Sequence, residues 1–594
     1  MIQNINTFVA PEVLNSSQAD KQGLATADFL LSNAELVMIV EDKRKELQQK
    51  VSDEEGSECL EIKMTVFGNW AGNLDRSSGL ILYCKPKNVS QVKAVIKAAG
   101  KMKPIVKVGF GGAYHTWTPL FPEKCTKDSS SIILNMCDLS LETSGQRIYL
   151  VKDDNNITTH VTVSPGVTTG ELTEVFLKES ICIESNVVLT GVTYGGIMPT
   201  GCHGVGKDQS ILSDLVTQVK IVDCSGEVKT YPDDLPEGSN KEAAMNGIRM
   251  SMGVFGAVVE MTIKVEKLKT AKVDTTYPTI GSLLYGDSPT LPRLIQDNWS
   301  LEILWFPFTS LGLDGGILQG LPLMDTWQPK LDEVWVRAIN RDESFCEVNK
   351  IDRTKQKIRD TMQHQINGSV ANPIIDRFKT LTPAIISNAV SFIKMENPPG
   401  TTYEPMTNAI HFHFGISLGP FYDMEFGFPI NLDNLDDQYF SNFMTAMRFV
   451  VDKSKEYSAK GEMDQFPLST TMVLRVISKS DCLISPASRR LNDSTTHTAW
   501  VEILCFTAIT GTQNYQTFFQ EVGQKWMELG GAPHWCKLWT FLENGEKNVY
   551  DHVHEFYGKN LSDYREILKE HCSSAKEELH EIFMNSTLKK ILNV

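Results

Sequence analysis

The spacing of hydrophobic and polar positions changes several times along the chain. From Ala27 to Leu47 apolar residues recur at helical spacing and run into E-D-K-R-K-E-L, a solvated face, which predicts a helix inside a polar N-terminal extension over residues 1–61. From Leu80 to Pro86 the pattern becomes a continuous apolar run, L-I-L-Y-C-K-P. It is followed by the amphipathic N-V-S-Q-V-K-A-V-I-K-A-A-G and by I-V-K-V (Ile105 to Val108). This reads as strand, proline-marked turn, helix capped by Gly100, and strand: a β-α-β unit. Further strands are predicted at Ser131 to Asn135, His160 to Val167, Leu215 to Val222, Val228 to Tyr231 and within Gly253 to Val265, with a helix over Thr168 to Lys178. In the middle of the chain N-A-I-H-F-H-F-G-I, M-E-F-G-F-P-I, T-T-M-V-L-R-V-I and A-W-V-E-I-L-C-F-T-A alternate with period two between helical stretches, the pattern of an antiparallel sheet.

Two glycine-dense stretches interrupt these elements. In I-V-K-V-G-F-G-G-A-Y-H-T-W-T-P (Ile105 to Pro119), Gly109, Gly111, Gly112 and Ala113 form a tight turn directly after a strand, and His115 stands at its lip. Backbone without side chains can approach a ligand closely. Glycine also reaches positive φ, so that successive N–H groups can cradle negative charge or an oxidised ring. The second stretch, G-V-T-Y-G-G-I-M-P-T-G-C-H-G-V-G (Gly191 to Gly206), has six glycines in sixteen residues, too many for a regular core element. A hairpin turn with a surface histidine and a flexible loop are the plainer readings of the two. Neither stretch has the G-x-G-x-x-G spacing of a dinucleotide fold or the lysine of a P-loop.

At 594 residues the chain exceeds one ordinary hydrophobic core, so two large domains, or one domain with an elaborate partner, are expected. A formal charge of -16 disfavours a nucleic-acid partner, which would want a basic face. No basic run followed by an apolar core opens the chain and no apolar run reaches membrane-spanning length, so neither a secretory signal nor an integral membrane segment is expected. The twelve cysteines are scattered without C-x-x-C pairs, as for reduced thiols in an intracellular protein, and the expectation is a cytoplasmic location with no metal centre.

The motifs in order carry a resemblance. N-W-A-G-N, a K-P turn before a helix, a glycine loop ending in H-T-W, T-Y-G-G-x-x-x-T-G-x-H-G-x-G and G-x-x-G-A-V-V-E-M-T together resemble the FAD domain of the vanillyl-alcohol oxidase / para-cresol methylhydroxylase superfamily. Within it the likeness is to the sugar-1,4-lactone oxidases (gulonolactone, galactonolactone and arabinonolactone enzymes) and alditol oxidase. Near the far end, G-G-A-P-H-W-C-K (Gly530 to Lys537) is similar to that group's P-H-W-x-K signature, and F-M-N-S-T-L-K-K-I-L to its closing segment.

The resemblance implies an α+β, two-domain FAD flavoprotein: an α/β FAD domain over 62–270, an antiparallel-sheet substrate domain over 271–540, and a segment over 541–594 returning to the first. It implies oxidation of a hydroxylated small molecule, sugar-lactone- or alditol-like, by hydride transfer to flavin N5, with oxygen or another acceptor taking the electrons. FAD would be held by Gly109, Phe110, Gly111, Gly112, Ala113, Tyr114, His115 and Thr116 of the first turn. Thr193, Gly195, Gly196, Thr200, Gly201, His203 and Gly204 of the second would join them, with Val259 beyond. His115 would carry the flavin through a covalent 8α-histidyl bond. Lys537 matches the cation of the P-H-W-x-K signature, His534 is its neighbour, and Arg475 matches the arginine of the group's Glu-x-Arg motif.

Three positions depart from the pattern: Val473 replaces the Glu of Glu-x-Arg, Cys137 stands where a small residue controls oxygen access, and Tyr114 stands where Gly precedes the flavin-bearing histidine. Cys137 bears on oxidase behaviour and Tyr114 on the role of His115, while Val473 keeps open a second reading, a flavoprotein that retains the FAD scaffold, has lost sugar oxidation and serves as a binding or structural protein.

Overall fold

The computed structural model describes residues 32–594 except 55–59, 75–78, 236, 312–326, 343–385, 387–389, 392, 412–420, 460–470, 493, 507–511, 545–546 and 574. Helix α1 (Ala34–Ser52) buries Val40, Leu47 and Val51 against the first layer of the body. That layer is a four-stranded sheet of β1 (Lys63–Val66), β2 (Leu80–Cys84), β3 (Lys107–Gly111) and β4 (Ser131–Asn135), ordered β1-β2-β4-β3. β2, β4 and β3 run parallel because helix α2 (Val89–Lys101) returns the chain across the sheet. Gly100 does not cap α2. It lies inside the helix, where a side chain would collide with Leu579, and Met102 follows as the cap.

The second layer is antiparallel: β5 (Ile148–Lys152), β6 (Thr158–Val163), β7 (Val216–Val222), β8 (Val228–Tyr231) and β9 (Ala257–Lys264), in the order β5-β6-β9-β7-β8. Helix α3 (Thr169–Glu179) starts from a capping box in which Thr168 and Glu171 satisfy each other's backbone N–H groups, the T-x-x-E signal in the sequence.

The third layer is an eight-stranded antiparallel sheet. Its strands are β10 (Thr270–Thr276), β11 (Ser300–Trp305), β12 (Val334–Asp342), β13 (Gly400–Pro405), β14 (Phe421–Ile430), β15 (Met472–Ser478), β16 (His497–Phe506) and β17 (Ala532–Pro533), ordered β13-β10-β12-β11-β15-β16-β14-β17. Three of the four alternating runs are therefore strands β14, β15 and β16. The fourth, N-A-I-H-F-H-F-G-I, begins in a helical turn (Met406–Ala409) that Ile410 caps, and beyond His411 it lies outside the described residues.

Alternation sorts the two faces of this sheet. On β14, Phe426 and Phe428 pack on Trp526 of helix α5 (Thr512–Glu528), whose indole donates to Ala446 O of helix α4 (Gln438–Ala459). Asp423 and Glu425 point the other way, towards the first two layers.

The C-terminal segment lies back on the first part of the chain. Helix α6 (Val549–Cys572), bent at Gly558, bonds Tyr564 Oη to Met250 O at 3.0 Å and His571 Nε2 to Phe255 O at 2.7 Å. Ahead of helix α7 (Ser586–Leu592), Ile582 O accepts from Val108 N of β3 at 2.8 Å. Among the described residues no helix is long and apolar enough to cross a membrane.

Candidate active site

Both glycine turns and the inner face of the third sheet wall one cavity, whose empty volume is about 1920 Å³ including its open mouth. Residues 109 to 116 line it without a break, joined by Thr193, Gly195, Gly196, Thr200 and His203 from the second turn.

The glycines serve close approach more than unusual dihedrals. A side chain on Gly112 would strike the Thr193 hydroxyl, so the two turns can meet there only with backbone, and one on Gly109 would strike Pro122. None of Gly109, Gly111 and Gly112 has positive φ, contrary to the cradle expected from the sequence. The left-handed residue is Tyr114, at φ 58, whose ring packs against Phe67 and Phe121 and whose hydroxyl accepts from Asn135 Nδ2 at 3.0 Å. Burial of the ring offsets the strain of about 1–2 kcal/mol that the backbone stores there.

His115 follows on the cavity wall. Its ring stacks on Trp70 at 4.7 Å and 23°, and its buried Nδ1 has no hydrogen-bond partner. Burial, with Lys537 nearby, pushes the imidazole down to about 4, so the ring is neutral at physiological pH. The chain then crosses to the P-H-W-C-K loop. Trp117 N donates to Cys536 O at 2.8 Å, Thr118 Oγ1 to Lys537 O at 2.5 Å, and the Trp117 indole to Phe421 O at 2.7 Å.

That crossing aims Lys537 at a carboxylate cluster that reading the sequence did not find. Its ammonium donates to Asp423 and to Glu502 (2.5 Å), stands 3.8 Å from Glu425, and lies 5.1 Å over the Trp117 ring. Arg475 is buried in mid-strand and bonds Glu502 at 2.7 Å. In the sheet register Glu502 lies between Val473 on β15 and Glu425 on β14. The strand paired with β15 thus carries a carboxylate opposite position 473. The signal was present: Asp423, Glu425 and Glu502 are acidic residues in otherwise apolar strands, and buried charges require partners.

Three carboxylates, Asp423, Glu425 and Glu502, crowd Lys537 and Arg475, with His203 bonded to Glu425. Burial and the charge of Glu502 raise Asp423 well above the usual range, and its buried Oδ1 has no partner. Burial opposes the ionisation of Glu502 and Glu425, but Lys537 and Arg475 hold the first below the usual range, and His203 and Lys537 hold the second well below it. Asp423 is therefore the member of the cluster that burial and its acidic neighbours push hardest towards the protonated form.

His534 is also in the wall, buried and pushed down to about 3 by that burial. Its Nδ1 accepts from Cys536 N at 3.2 Å, which leaves Nε2 as the N–H. His203 stacks on Trp500 at 4.1 Å and bonds Glu425 Oε1 at 3.2 Å and Gly204 O at 3.1 Å. His203, Glu425 and His534 have the donor types of a divalent-metal site and lie within 4.8 Å of one another. Both His203 nitrogens are already engaged, however, and Lys537 already supplies the cation beside Glu425.

Four candidates lie off the cavity. Val259 faces the opposite side of β9 while Val258 lines the wall, a shift of one residue that reverses the face. A side chain on Gly201 (φ 68) would meet Met250, and one on Gly204 would meet the backbone of Asn186, so both glycines serve packing. Cys137 sits in the single turn Met136–Asp138, where its neighbour Met136 takes the lining position.

Comparison with known proteins agrees with this architecture. The D-arabinono-1,4-lactone oxidase family matches residues 326–572. D-arabinono-1,4-lactone oxidase of Candida glabrata is 24% identical over 245 residues, 41% of this chain and 42% of that protein. L-gulonolactone oxidase of Bos taurus is 24% identical over 243 residues, 41% of this chain and 48% of that protein. The matched stretch spans less than half the length of these relatives. Cholesterol oxidase from B. sterolicum superposes with a TM-score of 0.67 at 14% identity, covering 90% of this chain and 97% of that one. The chain therefore has the fold of cholesterol oxidase, and its residues 326–572 match the D-arabinono-1,4-lactone oxidase family.

Proposed function

We propose that this protein is an FAD-dependent oxidoreductase that oxidises a secondary or primary alcohol on a sugar-lactone-like small molecule, passing electrons to oxygen or another acceptor. The observation that carries the reading is the Lys537 cluster, a buried ammonium shared among Asp423, Glu502 and Glu425, which faces a glycine-walled cavity. The matching family and relatives, named for oxidation of lactones, support the substrate class.

The residues present fit the cofactor. Gly109, Gly111 and Gly112 let the first turn close on Pro122, Tyr114 and Thr193, and with Thr193, Gly195 and Gly196 they wall the same cavity, where a side chain on Gly196 would meet little but open space. His115, neutral and with Nδ1 unpartnered, is suited to a covalent bond to the flavin, and we propose a single 8α-histidyl attachment there. FAD, when bound, supplies the electron sink.

The chain's own groups supply orientation, charge and proton handling. Lys537 and the His534 N–H offer donors to substrate oxygens. Glu502, ionised and on the wall, takes the hydroxyl proton, and Arg475 beside it holds its carboxylate in place. Asp423, pushed towards its protonated form and already accepting from Lys537, is the poorer base of the two. The alternative of a scaffold without sugar oxidation rested on Val473, and Glu502 across the register removes that ground.

Acid precipitation of the purified protein tests the cofactor and its attachment together. Yellow colour is expected to pellet with the wild-type chain and to remain in the supernatant for His115→Ala. Wild-type colour in the supernatant would remove the covalent bond but leave the FAD reading, and a folded protein that stays colourless when supplied with FAD would end that reading.

A further inference from the structure

We propose that the substrate is an alcohol with two unlike ends. Its reacting hydroxyl is held at the Lys537 cluster, and an alkyl-type substituent of the same molecule packs on an apolar lobe of the cavity centred on Val473. The orientation of the molecule rests on the proposed oxidation; the lobe itself is read from the sheet register and the cavity wall.

Along one row of cross-strand neighbours the inner face of the third sheet carries Glu425 on β14, Glu502 on β16, Val473 on β15 and Leu304 on β11. The next row pairs Asp423 on β14 with Leu504 on β16, whose N–H donates to Thr471 O at 3.1 Å. All of these residues line the cavity, as does Phe421 at the start of β14. The carboxylates gather around Lys537, and the rows continue from them into aliphatic side chains. Arg475, two residues on along β15, gives its guanidinium to Glu502 at 2.7 Å. A polar side chain at position 473 would carry the hydrogen-bonding row one strand further. Valine ends it at Glu502.

The lobe has no side-chain donor left to offer. Leu304, Val473, Leu504 and Phe421 carry none, the Thr471 hydroxyl donates to Trp305 O at 2.9 Å, and the indole of the adjoining Trp117 donates to Phe421 O at 2.7 Å. A sugar hydroxyl set against this wall would leave water without gaining a donor in exchange, whereas an alkyl group gains by leaving water. The two halves of the cavity therefore select opposite chemistries on one ligand, with a few placed polar groups fixing orientation and an apolar wall supplying affinity.

The test is calorimetric titration of the full chain, supplied with FAD, with L-gulono-1,4-lactone and with its 5,6-O-isopropylidene acetal, in which the two distal hydroxyls are capped by an apolar group and the ring hydroxyls stay free. The acetal is expected to bind roughly tenfold or more tightly and with a more negative heat-capacity change. Val473→Thr keeps the size of the side chain and adds a hydroxyl, and it should lower that preference roughly tenfold. Equal affinities, tighter binding of the free lactone or binding of neither by the wild-type protein would overturn the proposal, and so would an unchanged preference in Val473→Thr. The wild-type comparison decides by itself if the variant does not fold. Anaerobic visible spectra of the same samples separate this inference from the proposed function. A preference for the acetal with a flavin band that neither compound bleaches would refute the oxidation and keep the lobe, and bleaching without the preference would do the reverse.

Discussion

Glu502 has two cationic partners, and its position between Val473 and Glu425 makes it the hinge of the carboxylate cluster. Glu502→Gln keeps the shape and removes the charge that receives the proton. Substrate turnover should fall by about two orders of magnitude or more, while bound flavin is retained. Normal turnover in that variant would move proton removal elsewhere. Lys537→Met should also cost about a hundredfold in rate, the scale of one oriented charge in a dry site. Tyr114 offers a stability test. Tyr114→Phe loses the bond to Asn135 and should cost about 1 kcal/mol in denaturant unfolding, and Tyr114→Gly should cost more, because the buried ring outweighs the relief of the left-handed backbone.

Elements were legible where one physical rule dominated. The period-two runs of β14, β15 and β16 and the helix beginning at Thr168 could be read directly, because alternation and helical spacing are local. The carboxylate cluster was not, because Asp423, Glu425 and Glu502 become neighbours of Lys537 only through pairing of β14 with β16 and the return of the chain at residue 537. Val259 was chosen over Val258 because a motif gives no register, and the sheet decides which of two adjacent residues faces in. Glycine gave the right region and a mixed assignment within it, since packing and ligand approach both demand a missing side chain. A pair of substitutions separates those demands. Gly204→Ala drives a methyl into the Asn186 backbone and should destabilise the protein by about 1–3 kcal/mol in denaturant unfolding. Gly196→Ala meets only the Thr193 hydroxyl at 3.6 Å, so it should leave stability unchanged and weaken flavin retention. Equal effects on stability would show that the second turn is packing throughout.

Across the whole molecule, the cavity depends on the C-terminal segment lying back on the first layers, and His571 is the clasp. It is buried, bonds Tyr231 and the Phe255 carbonyl, and its carbonyl accepts from Lys229. Burial, with Lys229 adding, pushes its imidazole down to about 4 from the ordinary 6.5. A value lowered by folding means that the stabilising contribution is whole above pH 6.5 and is lost as the pH falls through 4. Unfolding free energy should therefore drop by about 3 kcal/mol across that window on account of this residue, and His571→Gln should flatten the slope. An unchanged slope in the variant would place the acid sensitivity elsewhere.

The central claim is that a bound flavin would take the electrons of a lactone-like alcohol that the Lys537 cluster orients and deprotonates, and anaerobic absorbance spectroscopy tests it most directly. With D-arabinono-1,4-lactone and L-gulono-1,4-lactone supplied in turn without oxygen, the visible flavin band should bleach with at least one of them in the wild-type protein and bleach about a hundredfold more slowly in Lys537→Met. A flavin band that both lactones leave intact in the wild type, or that bleaches equally fast in the two proteins, would contradict the account.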